Sequence, residues 1–195
     1  MKYLLGLLMV LSLSPAFSQS VEKAITEGFT TMSQAMAVGD FAKAADYMGE
    51  ELFNVMTKEQ FVGMLDMMMN NPQLEIEMAV PDITSISEVM EVEGKFYAIL
   101  ETKSVQKLRF FDTNGQVAKL ADSPVAQQTH AAWKTQLGEE NVAYDEESGF
   151  FTLSVSPKAL AISSDGKTSW KFLTVDESSR AMIKQIIPEA VMSKL

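Results

Sequence analysis

His130 is the only histidine of the chain and the residue best suited by type to acid–base chemistry. At helical spacing it shares one face with Ala126, Trp133 and Leu137. An imidazole titrates near neutral pH and can act as a general acid or base. A nucleophilic triad or a histidine metal site needs partners that the sequence does not supply. The pattern therefore favours an interior, hydrogen-bonded histidine beside Trp133 over a catalytic one.

Methionine is the second chemical feature, with 14 residues in the chain. Clusters fall on two predicted helices: Met64, Met67, Met68 and Met69 on one, and Met32 and Met36 on the other. Three interpretations stay open: a soft-metal site for Cu(I), an adaptable apolar pocket, or ordinary core filling. Three consecutive methionines cannot all face one way, which counts against a preformed metal cage and favours core filling.

Other motifs that carry chemistry are weak or missing. Asp145-Glu146-Glu147 could attract Ca²⁺, but it lacks the ligand and glycine spacing of an EF-hand and is typical of a solvated turn. With no cysteine, the chain has neither a thiolate nucleophile nor a cysteine zinc site. No P-loop, dinucleotide fingerprint, nucleophile elbow or HExxH occurs. We therefore predict no metal site and no cofactor.

Composition and the first residues predict an exported acidic protein. Sixteen basic and 26 acidic residues among 195 give a net charge of −10, which argues against nucleic acid and anionic membranes as partners. Residues 1–18 combine Lys2, an apolar run and a small-residue cleavage site at Ala16-Phe17-Ser18, as in a secretory signal peptide. The apolar run is shorter than the roughly 20 residues of a membrane span. We expect cleavage, a single domain over residues 19–195, no membrane span afterwards, and a periplasmic or secreted location.

The methionine clusters and His130 fall on segments that are predicted to be helical. The periodicity predicts helices over about 21–38, 41–48 and 125–137, and another from about 179, with Pro188 starting a last short turn. Thr57 and Gln60 form a capping box for a further helix, whose apolar face is predicted to be Phe61, Met64, Leu65 and Met68.

Strands follow Pro72, where the period changes from 3.6 to 2. Strand candidates are 74–78, 86–92, 95–110, 141–144, 149–155, 159–163 and 168–175. Helices first and an antiparallel meander afterwards predict an α+β fold with helices over one face of the sheet.

This order resembles the nuclear transport factor 2-like superfamily. The opening, with a long helix, Gly39-Asp40, and a short helix carrying Tyr47, is similar to the start of these domains. The strand 170–172, the closing helix near Ile187-Pro188 and the stretch 138–145 look like its exported bacterial members. The resemblance implies a cone in which a curved antiparallel sheet wraps the first helix, with a pocket at the open end. The helix over 125–137 departs from the simplest layout of that superfamily.

Some members of the superfamily are isomerases, cyclases or dehydratases, and others bind ligands without chemistry. Isomerase-type chemistry would need an aspartate base and a hydroxyl donor facing an apolar pocket. The candidates by type are Asp46, Tyr47, Asp66 and Tyr97. Asp46 and Tyr47 are adjacent on a helix and point about 100° apart. Asp66 lies off the predicted buried face, so both aspartates are expected at the surface.

We therefore expect a non-catalytic binding domain for a small hydrophobic ligand or a peptide. The expected pocket-lining residues are Phe29, Met32, Tyr47, Met68, Phe96 and Trp170. The alternatives are a lyase or isomerase that uses an aspartate–tyrosine pair in the same pocket, and an interaction module without a pocket. A homodimer is possible.

Overall fold

A computed structural model describes residues 15–176 and 179–195, with side chains from residue 19 onwards. Most of the predicted signal peptide, residues 1–14, lies outside the described residues, and residues 15–18 form the start of the first helix. No helix in the described part of the chain is long and apolar enough to cross a membrane.

Six α-helices occur in the described residues: α1 Pro15–Ala37, α2 Phe41–Ala45, α3 Lys58–Met69, α4 Pro124–Leu137, α5 Arg180–Ile186 and α6 Glu189–Met192. Short 3-10 helices lie at Glu50–Asn54 and Glu139–Asn141. Side chains cap the N-termini of α2, α3 and α4, because Asp40, Thr57 and Ser123 each accept a backbone N–H in the first turn. The capping box predicted for α3 is confirmed.

Within residues 15–176 and 179–195, eight strands form one antiparallel sheet: β1 Leu74–Met78, β2 Asp82–Ile86, β3 Met90–Val92, β4 Lys95–Phe110, β5 Val142–Tyr144, β6 Phe151–Val155, β7 Lys158–Ser163 and β8 Trp170–Val175. The fold is therefore α+β, as the change of sequence period predicts.

The 16-residue strand β4 is the centre of the sheet. Along one edge it pairs with β3, β2 and β1 in turn, and along the other its first half pairs with β7 and its second half with β6. The sheet then extends through β8 beside β7 and through β5 beside β6. The edge of β8 is covered by the segment after α2, where Phe172 donates its N–H to the carbonyl of Tyr47 and accepts one from Gly49.

The core consists of two packed clusters. One joins α1 to β4, β7 and β8, and in it the Phe29 and Phe172 rings meet edge to face at 5.5 Å. The other joins α2, α3, α5 and α6 to the same strands and includes Phe61, Leu65 and Ile183. The two clusters use alternate residues of β4 and β7 and therefore lie on opposite faces of this part of the sheet. The prediction that helices cover only one face is thus wrong, and burial on both faces is the main source of stability.

Three elements differ from their predicted extent, and the first is α1, which begins at Pro15 instead of at about residue 21. The helix predicted over 41–48 ends at Ala45, because Tyr47 and Gly49 exchange hydrogen bonds with β8 instead of continuing the helix. The strand predicted over 86–92 is divided between β2 and β3 at Ser87. The N–H of Ser87 donates to the carbonyl of Ile99, and its hydroxyl oxygen accepts the N–H of Ile99 in place of a backbone carbonyl.

The predicted buried face of α3 is wrong in part. Phe61 and Leu65 are buried, but Met64 and Met68 are 52% and 41% exposed. Met69 packs on the core in their place, together with Val62. The inward face of α3 is thus rotated relative to the one predicted from spacing.

Candidate functional site

A cleft of about 750 Å³ lies between α4, the ends of β6, β7 and β8, and the start of α5. We call it the α4–α5 cleft. Its lining comprises Gln106, Trp133, Gln136, Leu137, Leu153, Val155, Ser156, Pro157, Lys158, Thr174, Val175, Asp176, Arg180 and Leu195. A second depression of about 370 Å³ has all its lining on one face of α1 and therefore lacks an opposing wall.

The apolar part of the α4–α5 cleft comes from α4 and the sheet. Trp133 on α4 stacks on Phe110 with ring centroids 6.0 Å apart and meets the edge of Phe151 at 5.5 Å. Leu153 on β6 and Val175 on β8 add aliphatic surface. Because Trp133 is held by two other rings, this wall is already formed without a ligand.

Polar groups are placed at one end of the cleft, around the turn between β6 and β7. Thr102 on β4 donates its hydroxyl to the carbonyl of Pro157 at 2.5 Å and anchors this turn. Lys158 follows the turn and pairs with Glu101 at 3.2 Å. The turn therefore presents a fixed backbone and an already neutralised cation.

Arg180, at the start of α5, is the other cation of the cleft. It is exposed, and its guanidinium forms no ion pair within residues 15–176 and 179–195. Its N–H donates to the carbonyl of Asp176, which fixes the first turn of α5 beside the cleft. A guanidinium presents a planar fork of donors that fits carboxylate and phosphate oxygens.

His130 is half-buried among aromatic side chains on α4, the helix that carries the cleft residue Trp133, and the hydrogen bond expected for it stays a prediction. Its ring is 5.5 Å from that of Phe151 and 6.5 Å from that of Tyr144. Burial lowers the pKa of His130, and the charge of Lys134 lowers it further. These surroundings favour a neutral, packed imidazole.

The aspartates considered for isomerase chemistry lie at the surface. Asp46 is exposed and forms an ion pair with Lys58, whose hydrogen bond lowers the pKa of the Asp46 carboxyl. Asp66 is exposed on α3. Tyr47 is half-buried beneath the ammonium of Lys171, which lies 6.0 Å from the ring centroid.

The structure brings a glutamate, and not an aspartate, close to Tyr97. Glu51 is buried and accepts a hydrogen bond from Lys95 at 2.6 Å, which raises the pKa of Lys95. Burial raises the pKa of Tyr97, with a smaller contribution from the Glu51 charge. Spacing could not predict this group, because Glu51 lies in a 3-10 turn far along the chain from β4. Since Lys95 neutralises Glu51, we interpret the pair as a structural ion pair and not as a catalytic acid or base.

Five of the six residues predicted to line an apolar pocket lie in one packed cluster beneath α1. Phe29, Met32 and Trp170 are each at most 4% exposed, while Tyr47 and Phe96 pack at the margin. The sixth, Met68, lies on the exposed side of α3. The structure thus brings five of the six together, and their role in lining a pocket stays a prediction.

The carboxylate turn after β5 is organised by backbone hydrogen bonds. Asp145 accepts N–H bonds from Glu147 and Ser148, which lower the pKa of its carboxyl. Among the residues with described side chains, no group of three or more histidine, cysteine, aspartate or glutamate side chains is placed to hold a metal ion.

Comparison of the chain with protein-family models and with curated proteins finds no match. Its function is therefore inferred from the geometry of the cleft and of the groups around it.

Proposed function

We propose that this protein is an exported, non-catalytic binding domain. Its ligand is a small amphipathic molecule with an apolar body and an anionic group. The observation that carries the proposal is the α4–α5 cleft, whose lining combines an aromatic and aliphatic wall with Arg180, a cation that forms no ion pair within residues 15–176 and 179–195. The proposal keeps the binding function expected from the sequence and moves the site away from the packed cluster beneath α1.

The size and composition of the cleft support a ligand site. Pockets for small molecules commonly measure about 300–1,000 Å³ and combine apolar walls with a few convergent polar groups. At about 750 Å³, the cleft falls inside this range. Trp133 provides a flat apolar surface, and Thr102 holds the polar turn in place.

The charges around the cleft support an anionic group on the ligand. Lys158 is already paired with Glu101, whereas Arg180 forms no ion pair with a carboxylate of the described residues. In a chain of net charge −10, Arg180 beside an apolar wall provides a local site for an anionic group, although the Asp176 carboxylate in the same lining offsets part of its charge. Carboxylates and phosphates share this preference for arginine.

The positions of the candidate catalytic groups support binding over catalysis. Asp46 and Asp66 are at the surface, His130 is packed between rings, and Glu51 is paired with Lys95. A general acid and base working on one substrate would have to converge on one point. No such convergence occurs among the side chains that the structure describes.

The same proposal includes export and membership of the nuclear transport factor 2-like superfamily, with its cone-like sheet. The packing of α1 along β8 and the antiparallel meander support such a fold. Fold analogy alone does not assign function, and it is the lining of the cleft that supports the ligand class.

Isothermal titration calorimetry with dodecanoate and uncharged dodecanol tests the site. We expect Arg180→Gln to weaken dodecanoate binding by about tenfold or more, as loss of a charge-assisted hydrogen bond does. Dodecanol binding should not change. Lys167→Gln, which removes the same charge from the exposed β7–β8 turn, is the matched control and should change neither.

Two further variants locate the apolar part of the site. Trp133→Ala should weaken the binding of both probes, and Tyr47→Leu should weaken neither. If Tyr47→Leu lowered affinity while Trp133→Ala did not, the ligand would bind at the cluster beneath α1. Equal effects of Arg180→Gln and Lys167→Gln, or no binding of either probe, would refute the proposed ligand class.

A further inference from the structure

The methionines of α3 divide between two sides of the helix. Met69 packs on the core, while Met64, Met67 and Met68 are 52%, 78% and 41% exposed. We call these three the α3 methionine face. Three large apolar side chains left in solvent on one helix bury little surface, so core filling does not explain them.

The helix places these three side chains next to one another. Met67 and Met68 lie three and four residues after Met64, and such positions are neighbours with about 5–6 Å between Cβ atoms. Each methionine side chain has three rotatable bonds, so its sulfur can reach a point shared with its neighbours. Gly63, beside them, adds no side chain and has no atom within 4 Å of its Cβ direction.

We propose that the α3 methionine face binds one Cu(I) ion through the thioether sulfurs of Met64, Met67 and Met68. Thioethers are soft, neutral ligands that select Cu(I) over the harder Zn²⁺, Ca²⁺ and Mg²⁺. Met64 lies beside both Met67 and Met68, whereas Met67 and Met68 themselves point about 100° apart, so the three sulfurs can meet only through Met64 and through the rotatable bonds of each side chain.

The surroundings favour a soft monovalent ion. No cluster of three histidine, cysteine or carboxylate side chains competes for the metal within the residues with described side chains. The site is open to solvent, so a partner can deliver or remove the ion. It lies on α3, apart from the residues lining the α4–α5 cleft, and does not depend on the function proposed for that cleft.

Anaerobic titration with Cu(I), in competition with a chromophoric Cu(I) chelator, measures the site directly. We expect one equivalent of Cu(I) to bind and Zn²⁺ not to bind. Met67→Leu should lower the Cu(I) affinity by at least about tenfold, since even loss of an outer-shell partner typically costs about 10–100-fold. Met69→Leu is the matched control from the same run and should leave the affinity unchanged. Equal affinities for these two variants would overturn the proposal.

Carbon-13 spectra of the methionine methyl groups provide a readout in the unaltered protein. On addition of Cu(I), or of Ag(I) as a redox-inert substitute, three methyl resonances should shift together. Met64→Leu, Met67→Leu and Met68→Leu each remove one of these resonances and so assign them. Shifts at methionines outside α3, or no shift at all, would refute the site even if a variant proved unstable.

Discussion

The geometry of the turn that leads into β6 predicts how much an alanine at Gly149 lowers the free energy of unfolding. Gly149 has φ +77°, and a Cβ on it would lie 2.4 Å from Cγ1 of Val117. Gly115 has nearly the same φ, +76°, but its Cβ would have nothing within 4 Å. An alanine would therefore have the same backbone strain at both positions, but only at Gly149 would its Cβ also collide with a neighbouring side chain.

The expected magnitudes follow from these two terms. A left-handed conformation costs an L-residue roughly 1–2 kcal/mol, which is the whole effect expected for Gly115→Ala. Overpacking typically adds about 1–3 kcal/mol, so Gly149→Ala should cost about 2–5 kcal/mol. In a chain of this size, each kcal/mol lowers Tm by about 2–4 °C.

Urea unfolding followed by circular dichroism measures both variants and a double-mutant cycle. Val117→Ala removes the contacted methyl, so Gly149→Ala should cost less in the Val117→Ala background by at least about 0.5 kcal/mol, the lower limit of coupling between residues in contact. If Gly149→Ala and Gly115→Ala cost the same, or if the cycle shows no coupling, the close approach of the two turns is refuted.

Three further predictions concern a buried ion pair, a carboxylate-centred turn and a helix. Lys95→Met should lower the free energy of unfolding by about 1–2 kcal/mol, because it leaves the Glu51 carboxylate without its partner. This cost is smaller than that of breaking a fully buried ion pair, since the Lys95 side chain is half exposed. Glu51→Gln should lower the free energy of unfolding by less than Lys95→Met does in the same urea assay. Asp165 accepts several backbone N–H bonds that hold its pKa well below 3.8, so its contribution is present above the unfolded pKa and is lost as pH falls through the folded one. Asp165→Asn should therefore reduce stability at neutral pH and flatten its decline below about pH 4. Gly63→Ala, at an open and exposed helix position, should stabilise α3 by about 0.5–1 kcal/mol in thermal unfolding; a loss would contradict the helical assignment.

Local signals in the sequence predicted most of the elements. The Thr57–Gln60 capping box located α3, and alternation located β1 and the strands from β4 onwards. Such signals depend only on residues close together in the chain, so they can be recognised before the fold is known. The division between β2 and β3 was not predicted, because it depends on Ser87 bonding to Ile99 across the sheet.

The candidate site was far less predictable. Trp133 was noted for its helical face, but nothing near Arg180 in the sequence indicated that it would lie across a cleft from α4. The outward face of α3 was also missed, since Met64 and Met69 are equally apolar and only the packing of the sheet decides which is buried. Features that require distant segments to meet have no local signature.

The central position of β4 also determines at what stage of synthesis each of its two edges can pair with a neighbouring strand. The partners on one edge, β1, β2 and β3, all precede β4, so that edge can pair as soon as β4 emerges. The partners on the other edge begin only at Phe151 and Lys158, after α4. Between these moments the nascent chain carries a long strand with an open edge, the form most prone to pair with another copy. Truncation between Phe110 and Phe151 should therefore yield an aggregating fragment, whereas the complete chain closes that edge itself.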